Sequence, residues 1–382
     1  MNKINRIRIH GFRRLEDLDL AVKPFMAILG ANGAGKSSLL NAFSLLSASA
    51  SGRLNETLSQ LGGVSSLLTR DRCKELSLLV EMEVPGYRPL EYEFHLGSKG
   101  TGYAISTEIL SQRREGYNQP FKHIHSSNDD IRYYEIGEGR LIRPEWEHNP
   151  LETSLSQVPK MFREPEELRR ILANAIEYHA LDVGPRSAVK LPQQMKPAMT
   201  PGTSGEDLVS YLYYLRESEQ DCFSSVIDSL QVAFPDFESL NFPPVAAGML
   251  ALTWKDRKFN KPFYMHELSE GTLRFLWLVA LLQSPALPTI TMIDEPEVSL
   301  HPEMLSLLAD LMREASKRTQ LIVATHSDRF VRFLRPDEIV VMDVNEQGAT
   351  KAIWADSFNL DVWLAEYSLD AVWAMGRMGG RT

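Results

Sequence analysis

Two short runs of alternating apolar and polar residues open the chain, at residues 4–9 and 15–20, and both are predicted as strands. Residues 25–29 form a continuous apolar run that ends at a glycine-rich loop. The period then changes. Leu39, Leu40, Phe43 and Leu46 recur at helical spacing, so residues 36–46 are predicted as a helix with one apolar face. From Glu75 to about Gly139 strand texture returns: residues 76–84, 90–95, 103–110 and 133–136 are short runs separated by Pro-Gly, Gly-Ser or polar stretches. That is the signal of an antiparallel sheet.

A helical block follows, with Pro165 suited to a first turn and Leu168, Ile171, Leu172, Ala175 and Ile176 in helical phase. Residues 184–205 contain Pro185, Pro192, Pro197 and Pro201 and are predicted as an irregular connection, the best linker in the chain. Residues 208–215 and 223–234 read as two further amphipathic helices, with Pro235, Pro243 and Pro244 after them. The last third alternates: a helix at 273–282, an apolar strand at 290–293, a helix from Pro302 to about Ala315, and a strand at 321–324. Such alternation predicts a mainly parallel, buried sheet. No internal repeat is found.

Composition narrows the class. A chain of 382 residues has room for two or three domains at roughly 100–200 residues each. Hydrophobic residues make up 43% and charged residues 24%, which argues against a disordered protein. The net charge of -9 disfavours binding nucleic acid through overall basicity, though not through a local basic groove. Cys73 and Cys222 are too few and too separated for a disulfide framework or a cysteine zinc site. The longest strongly apolar stretch, residues 275–282, is far short of the about 20 residues a spanning helix needs. The opening residues lack a signal-peptide core, and a cytoplasmic protein without a membrane partner is expected.

The chemistry sits where strands end. Gly30-Ala31-Asn32-Gly33-Ala34-Gly35-Lys36-Ser37 satisfies G-x-x-x-x-G-K-[ST] between an apolar strand and a helix. Glycines let backbone N–H groups converge on phosphate oxygens, Lys36 reaches the β- and γ-phosphates, and Ser37 places a hydroxyl on Mg²⁺. Ser38, next in the helix, is counted with the nucleotide-binding set. Thr291-Met292-Ile293-Asp294-Glu295-Pro296 puts two carboxylates at a buried strand end, costly unless used or paired. Asp294 is the Mg²⁺ candidate and Glu295 the candidate general base for an attacking water. Solvated strand-end acids are the bland alternative. Leu268-Ser269-Glu270-Gly271-Thr272 opens the helix after it, with Ser269 a plausible N-cap whose helix terminus could also hold a γ-phosphate. His326 follows the strand at 321–324, on what should be the same sheet edge, where open α/β folds bind ligands. Alone it would be an ordinary structural histidine; in this company it is a candidate γ-phosphate contact.

In that order these motifs resemble an ABC-type (P-loop NTPase) ATPase head of the RecF/SMC kind, and more narrowly the bacterial ATPases related to RecF and to overcoming-lysogenization-defect (OLD) proteins. The resemblance identifies Gly30 to Ser37 as Walker A, Leu268 to Thr272 as the signature, Ile290 to Glu295 as Walker B, Ser299-Leu300-His301 as the D-loop and His326 as the switch histidine. It implies an α/β head with a mixed, largely parallel core sheet, an antiparallel β subdomain and an inserted helical lobe, divided as residues 1–85, 86–160, 161–243 and 244–382. It also implies an ATP- and Mg²⁺-dependent homodimer in which Ser269 and Gly271 meet the γ-phosphate held by the other copy, and Ser299 and His301 approach across the interface. Gly11-Phe12-Arg13-Arg14 resembles the family's early Phe-Lys/Arg-Ser element and makes Arg13 a candidate nucleotide contact; Arg14 stands where the family has Ser. Glu270 and Thr272 depart from the transporter pattern, and Gln60 and Gln112 are the candidates for a Q-loop glutamine. With 55 residues after Ser327 and no Asp-x-Asp after residues 341–343, a complete TOPRIM nuclease is not expected. The expected function is ATP hydrolysis coupled to a DNA transaction or a partner effector such as a nuclease, in DNA repair or phage defence. A nucleotide-dependent scaffold or toxin-control subunit is the rival, and a transporter ATPase subunit a third reading; DNA is a further candidate partner.

Overall fold

The computed structural model describes residues 2–100, 102–128, 130–135 and 137–379. Met1, Ile136 and residues 380–382, which fall in segments assigned above, lie outside the described residues. The chain divides into two compact units: Met1–Ile176 with Asp337–Asn359 and Met378–Thr382, and Glu177–Pro336 with Leu360–Arg377.

In the first unit an eight-stranded antiparallel sheet begins at the hairpin Ile4–Phe12 and Leu15–Ala21 and continues through Glu75–Met82, Leu90–Lys99 and Gly102–Gln112. Burial alternates along Glu75–Met82 and Leu90–Lys99, which is what a sheet with one face on the core requires. Two strands of this sheet escape the sequence pattern, Phe121–Ser127 and Arg140–Ile142. The first is polar and histidine-containing, and its pairing with Gly102–Gln112, with Leu110 opposite Ile124, places it. Phe25–Leu29 is buried at all five positions and runs parallel to Ile339–Val344, with Ala27 opposite Ile339 and Leu29 opposite Val341. Ile339–Val344 in turn pairs antiparallel with Thr350–Trp354, a strand the sequence did not announce.

The helix expected to carry Ala175 and Ile176 spans Arg163–Ala173 and ends at Asn174. Ala175–Tyr178 is a strand instead. Two apolar residues fit either period, and the Ser47 hydroxyl donates to the Ala175 carbonyl at 3.0 Å, holding the extended form.

His123, on Phe121–Ser127, is buried, and its Nε2 has no hydrogen-bond partner among the described residues. Burial, then Arg114, oppose the Glu164 carboxylate and push its pKa down to about 4. The native state therefore binds fewer protons than the unfolded chain between that value and about 6.5. Stability present above pH 6.5 is lost as pH falls toward 4. The loss by pH 4.5 is about 2–3 kcal/mol. Urea midpoints at pH 7 and 4.5 should differ more for the wild type than for His123→Gln; equal differences would exclude His123 as the cause.

In the second unit Ile290–Asp294 and Gln320–Thr325 form a parallel pair, with Asp294 opposite Ala324, connected by Pro302–Ala315. Glu270–Leu282 is buried continuously from Phe275 to Leu282, so it is a core helix rather than a surface amphipath. A small antiparallel sheet of Phe237–Asn241, Thr253–Asp256 and Phe263–Tyr264 packs Trp254 on Phe237, ring centroids 4.2 Å apart.

The proline-rich stretch at 184–205 is irregular as expected, but it is not a loose linker. Val189 is fully buried, the Trp277 indole donates to the Gly202 carbonyl at 2.9 Å, and the Gln193 amide spans Ala188, Gly205 and Val209. Side-chain hydrogen bonds supplement the little main-chain bonding the prolines leave, a 3-10 turn at Ala188–Lys190 and the short pairing of Gln193–Gln194 with Met249–Leu250. No helix among the described residues is long and apolar enough to cross a membrane.

Candidate functional site

The first unit holds the phosphate loop. Phe25–Leu29 delivers it at a strand end, and Gly30 leaves the strand where an added Cβ would sit 2.6 Å from the Met342 carbonyl oxygen. Gly35, at φ 103°, caps the helix Lys36–Ser51 without any side-chain capping bond. First-turn N–H groups of that helix therefore have no side-chain acceptor at Gly35, the arrangement that suits an anion. A Cβ on Gly33 would meet nothing within 4 Å, so the outer side of the loop is open. Lys36 is buried, and its ammonium folds over the loop to donate to the carbonyls of Gly30 at 2.7 Å and Ala31 at 3.1 Å. Asn32 and Ser37 are exposed, while Ser38 turns inward.

The C-terminal hairpin braces this loop. Thr350 donates through its hydroxyl to the Ala34 carbonyl and through its N–H to the Arg14 carbonyl, both at 2.9 Å. Arg13 is held in the left-handed region at φ 53° by an N–H bond to the Leu67 carbonyl. With Arg14, Arg70 and Arg72 it lines a cleft of about 260 Å³.

The second unit holds the other candidates. Ser269 N-caps Glu270–Leu282, its hydroxyl accepting from the Thr272 N–H at 3.2 Å, and it is exposed. Gly271 meets the segment expected to be a D-loop: an added Cβ would lie 2.5 Å from the Ser299 carbonyl oxygen. Ser299 itself is exposed at φ 64°. His301 N-caps Pro302–Ala315 and is also exposed. The two segments assigned to a subunit interface thus lie side by side and offer their polar groups to solvent.

Asp294 ends its strand half-buried. Glu295 follows at φ 51°, its N–H donating to the Ala324 carbonyl at 2.9 Å. Its carboxylate lies 2.8 Å from His326 Nδ1. The strand pairing that sets Asp294 against Ala324 brings these two residues together from opposite ends of a helical crossover.

Sequence reasoning missed Glu297 and Thr325. Glu297 is buried, and it accepts the Thr325 hydroxyl proton through Oε1. Burial raises its pKa above the usual carboxylate range, against that hydrogen bond. The available signal was a third acid in the run Asp294-Glu295-Pro296-Glu297. Of the two glutamines considered for a Q-loop, Gln60 bonds Glu56 on the surface and Gln112 is buried against the Arg88 carbonyl.

Taken unit by unit, the residues suit a magnesium triphosphate by type: the first unit has an open loop beneath a helix start with no side-chain cap, an ammonium and the Ser37 hydroxyl, and the second has a strand-end carboxylate at Asp294. A family model described as "AAA domain, putative AbiEii toxin, Type IV TA system" matches residues 25–332. The chain belongs to this AAA-domain family. Among solved structures, this AAA-domain protein is similar to an Smc head bound to the C-winged helix domain of ScpA, at 16% identity and TM-score 0.55, covering 92% of this chain and 97% of that one. It is also similar to the Pyrococcus furiosus Smc head with an extended coiled coil bound to the C-terminal domain of ScpA (13%, TM-score 0.55, 92% and 96%) and to the Pyrococcus yayanosii Smc head with a coiled coil and joint (12%, TM-score 0.51, 94% and 99%). At such identities the likeness is one of fold, and the fold is that of an ABC-type ATPase head of the SMC and RecF kind. No curated protein is significantly similar to the sequence.

Proposed function

We propose that this AAA-domain protein is an ATPase that closes on a second copy of itself when ATP is bound and opens after hydrolysis. The observation that carries the reading is the phosphate loop: Lys36 lies folded over its carbonyls beside a helix start with no side-chain cap. Residues 30–38 would hold the phosphates, with Arg13 adding a positive charge. Ser37 and Asp294 would hold Mg²⁺, which when bound offsets charge on the β- and γ-phosphate oxygens. Glu295 would take a proton from the attacking water, and His326, 2.8 Å away, would steady that carboxylate and face the γ-phosphate. The exposed Ser269, Ser299 and His301, with Gly271 in the first turn of the helix that Ser269 caps, would complete the pocket on the other copy. The four-part division at residues 85, 160 and 243 goes with this reading, the middle parts serving as the partner-specific region.

Closure would act on an effector protein such as a nuclease, or on DNA, in repair or phage defence. A second reading, a nucleotide-dependent subunit of a toxin–antitoxin pair, is favoured by the family's description. A protein partner is in keeping with the Smc head captured with ScpA. Calorimetry with ATP and Mg²⁺, followed by sedimentation with and without nucleotide, tests the core of the proposal. Micromolar binding and an ATP-dependent doubling of mass are expected; no heat of binding would end it.

A further inference from the structure

Glu295 and His326 sit on the surface, with side chains 37% and 48% exposed. An exposed pair of this kind is worth only about 0–1 kcal/mol and does not by itself keep two side chains in one arrangement. Beneath it lies a buried layer. Thr325, fully buried at the end of its strand, donates its hydroxyl proton to Glu297 Oε1 and accepts the Ser327 N–H at 3.1 Å. The Glu295 N–H donates to the Ala324 carbonyl, and the Leu300 N–H to the Glu297 carbonyl at 3.1 Å. The turn after the acidic strand and the exit of the histidine strand are thus joined by main-chain and buried side-chain bonds on both sides of the exposed pair.

We propose that Glu297 is a positioning residue, whose buried carboxyl fixes Thr325 and, through it, the Ser327 backbone, so that His326 is presented to Glu295. Thr325 bonds both Glu297 and Ser327. With its proton committed to Glu297, its lone pair is aimed at the Ser327 N–H, and the peptide either side of His326 is set. The burial that raises the Glu297 pKa also keeps water from competing for the Thr325 hydroxyl. Glu297 itself touches no reacting group in this scheme. The inference rests on the ATPase reading above for its kinetic consequence and on geometry alone for its structural one.

Glu297→Gln retains a carbonyl oxygen to accept from Thr325, whereas Glu297→Ala and Thr325→Val each break the link. Turnover is therefore expected within about twofold of wild type for the glutamine variant and about 10- to 100-fold lower for the other two, with KM for ATP unchanged. Combining Glu297→Ala with Thr325→Val should cost no more than either alone. Without nucleotide, hydrogen exchange at Ser327 should speed up in Glu297→Ala and Thr325→Val but not in Glu297→Gln. Wild-type kcat in Glu297→Ala, additive losses, or a glutamine variant as slow as alanine would overturn the proposal. So would unchanged exchange at Ser327. A wild-type chain that hydrolyses no ATP would remove the ATPase reading alone, and the exchange comparison would still decide the clamp.

Discussion

Glu295→Gln is expected to bind ATP as well as the wild type while turning it over about 10²- to 10⁴-fold more slowly, the range assigned to a positioned general base. The substitution is nearly isosteric. The amide can still bond His326 Nδ1, now 2.8 Å from the carboxylate, and the main-chain bond from residue 295 to the Ala324 carbonyl is untouched. What disappears is the ability to accept a proton from water. If closure on a second copy precedes hydrolysis, the variant should accumulate as a closed dimer with ATP present, visible by sedimentation at twice the monomer mass. Turnover at the wild-type rate would move the base elsewhere and leave Glu295 as a structural partner of His326.

Lys36→Ala should act one step earlier. The ammonium bonds the loop carbonyls of Gly30 and Ala31, and it is buried, so its charge is poorly screened. Its loss should weaken triphosphate binding about 100-fold, nearly 3 kcal/mol at 1.4 kcal/mol per tenfold. The fold should survive, since the loop keeps its brace from Thr350 and the strand Phe25–Leu29 its pairing with Ile339–Val344. Titration calorimetry of the variant beside a circular dichroism melt separates the two effects. Unaltered affinity would show that the loop does not hold the phosphates through Lys36.

The two variants address the parts of the molecule that were easiest to read. Residues 30–37 are consecutive, and their neighbours on either side declare a buried strand and a helix by period alone. Asp294 and Glu295 announced themselves as acids at the end of an apolar run. The contact between Glu295 and His326 was not written locally; it depends on parallel pairing of Ile290–Asp294 with Gln320–Thr325 in one particular register. Glu297 was overlooked for the same reason, because its partner Thr325 is 28 positions away and nothing in the local pattern marks either residue as buried. The proline-rich stretch misled in the opposite direction. Its composition correctly predicted irregular backbone, but whether irregular backbone is loose depends on what satisfies its polar groups, and here Gln193 and Trp277 do so. Ala175 and Ile176 could serve either period, and the Ser47 hydroxyl arbitrated.

The brace from Thr350 to Ala34 spans 316 positions. A ribosome working at about 5–20 residues per second would need roughly 15 to 60 s after making the phosphate loop to supply the threonine that steadies it. Through that interval the nascent loop lacks both the hydroxyl on the Ala34 carbonyl and the neighbouring strand Ile339–Val344. Until residues 339–350 emerge, the loop is therefore without two of the contacts that hold it in the folded protein, and its final geometry is set only after they do.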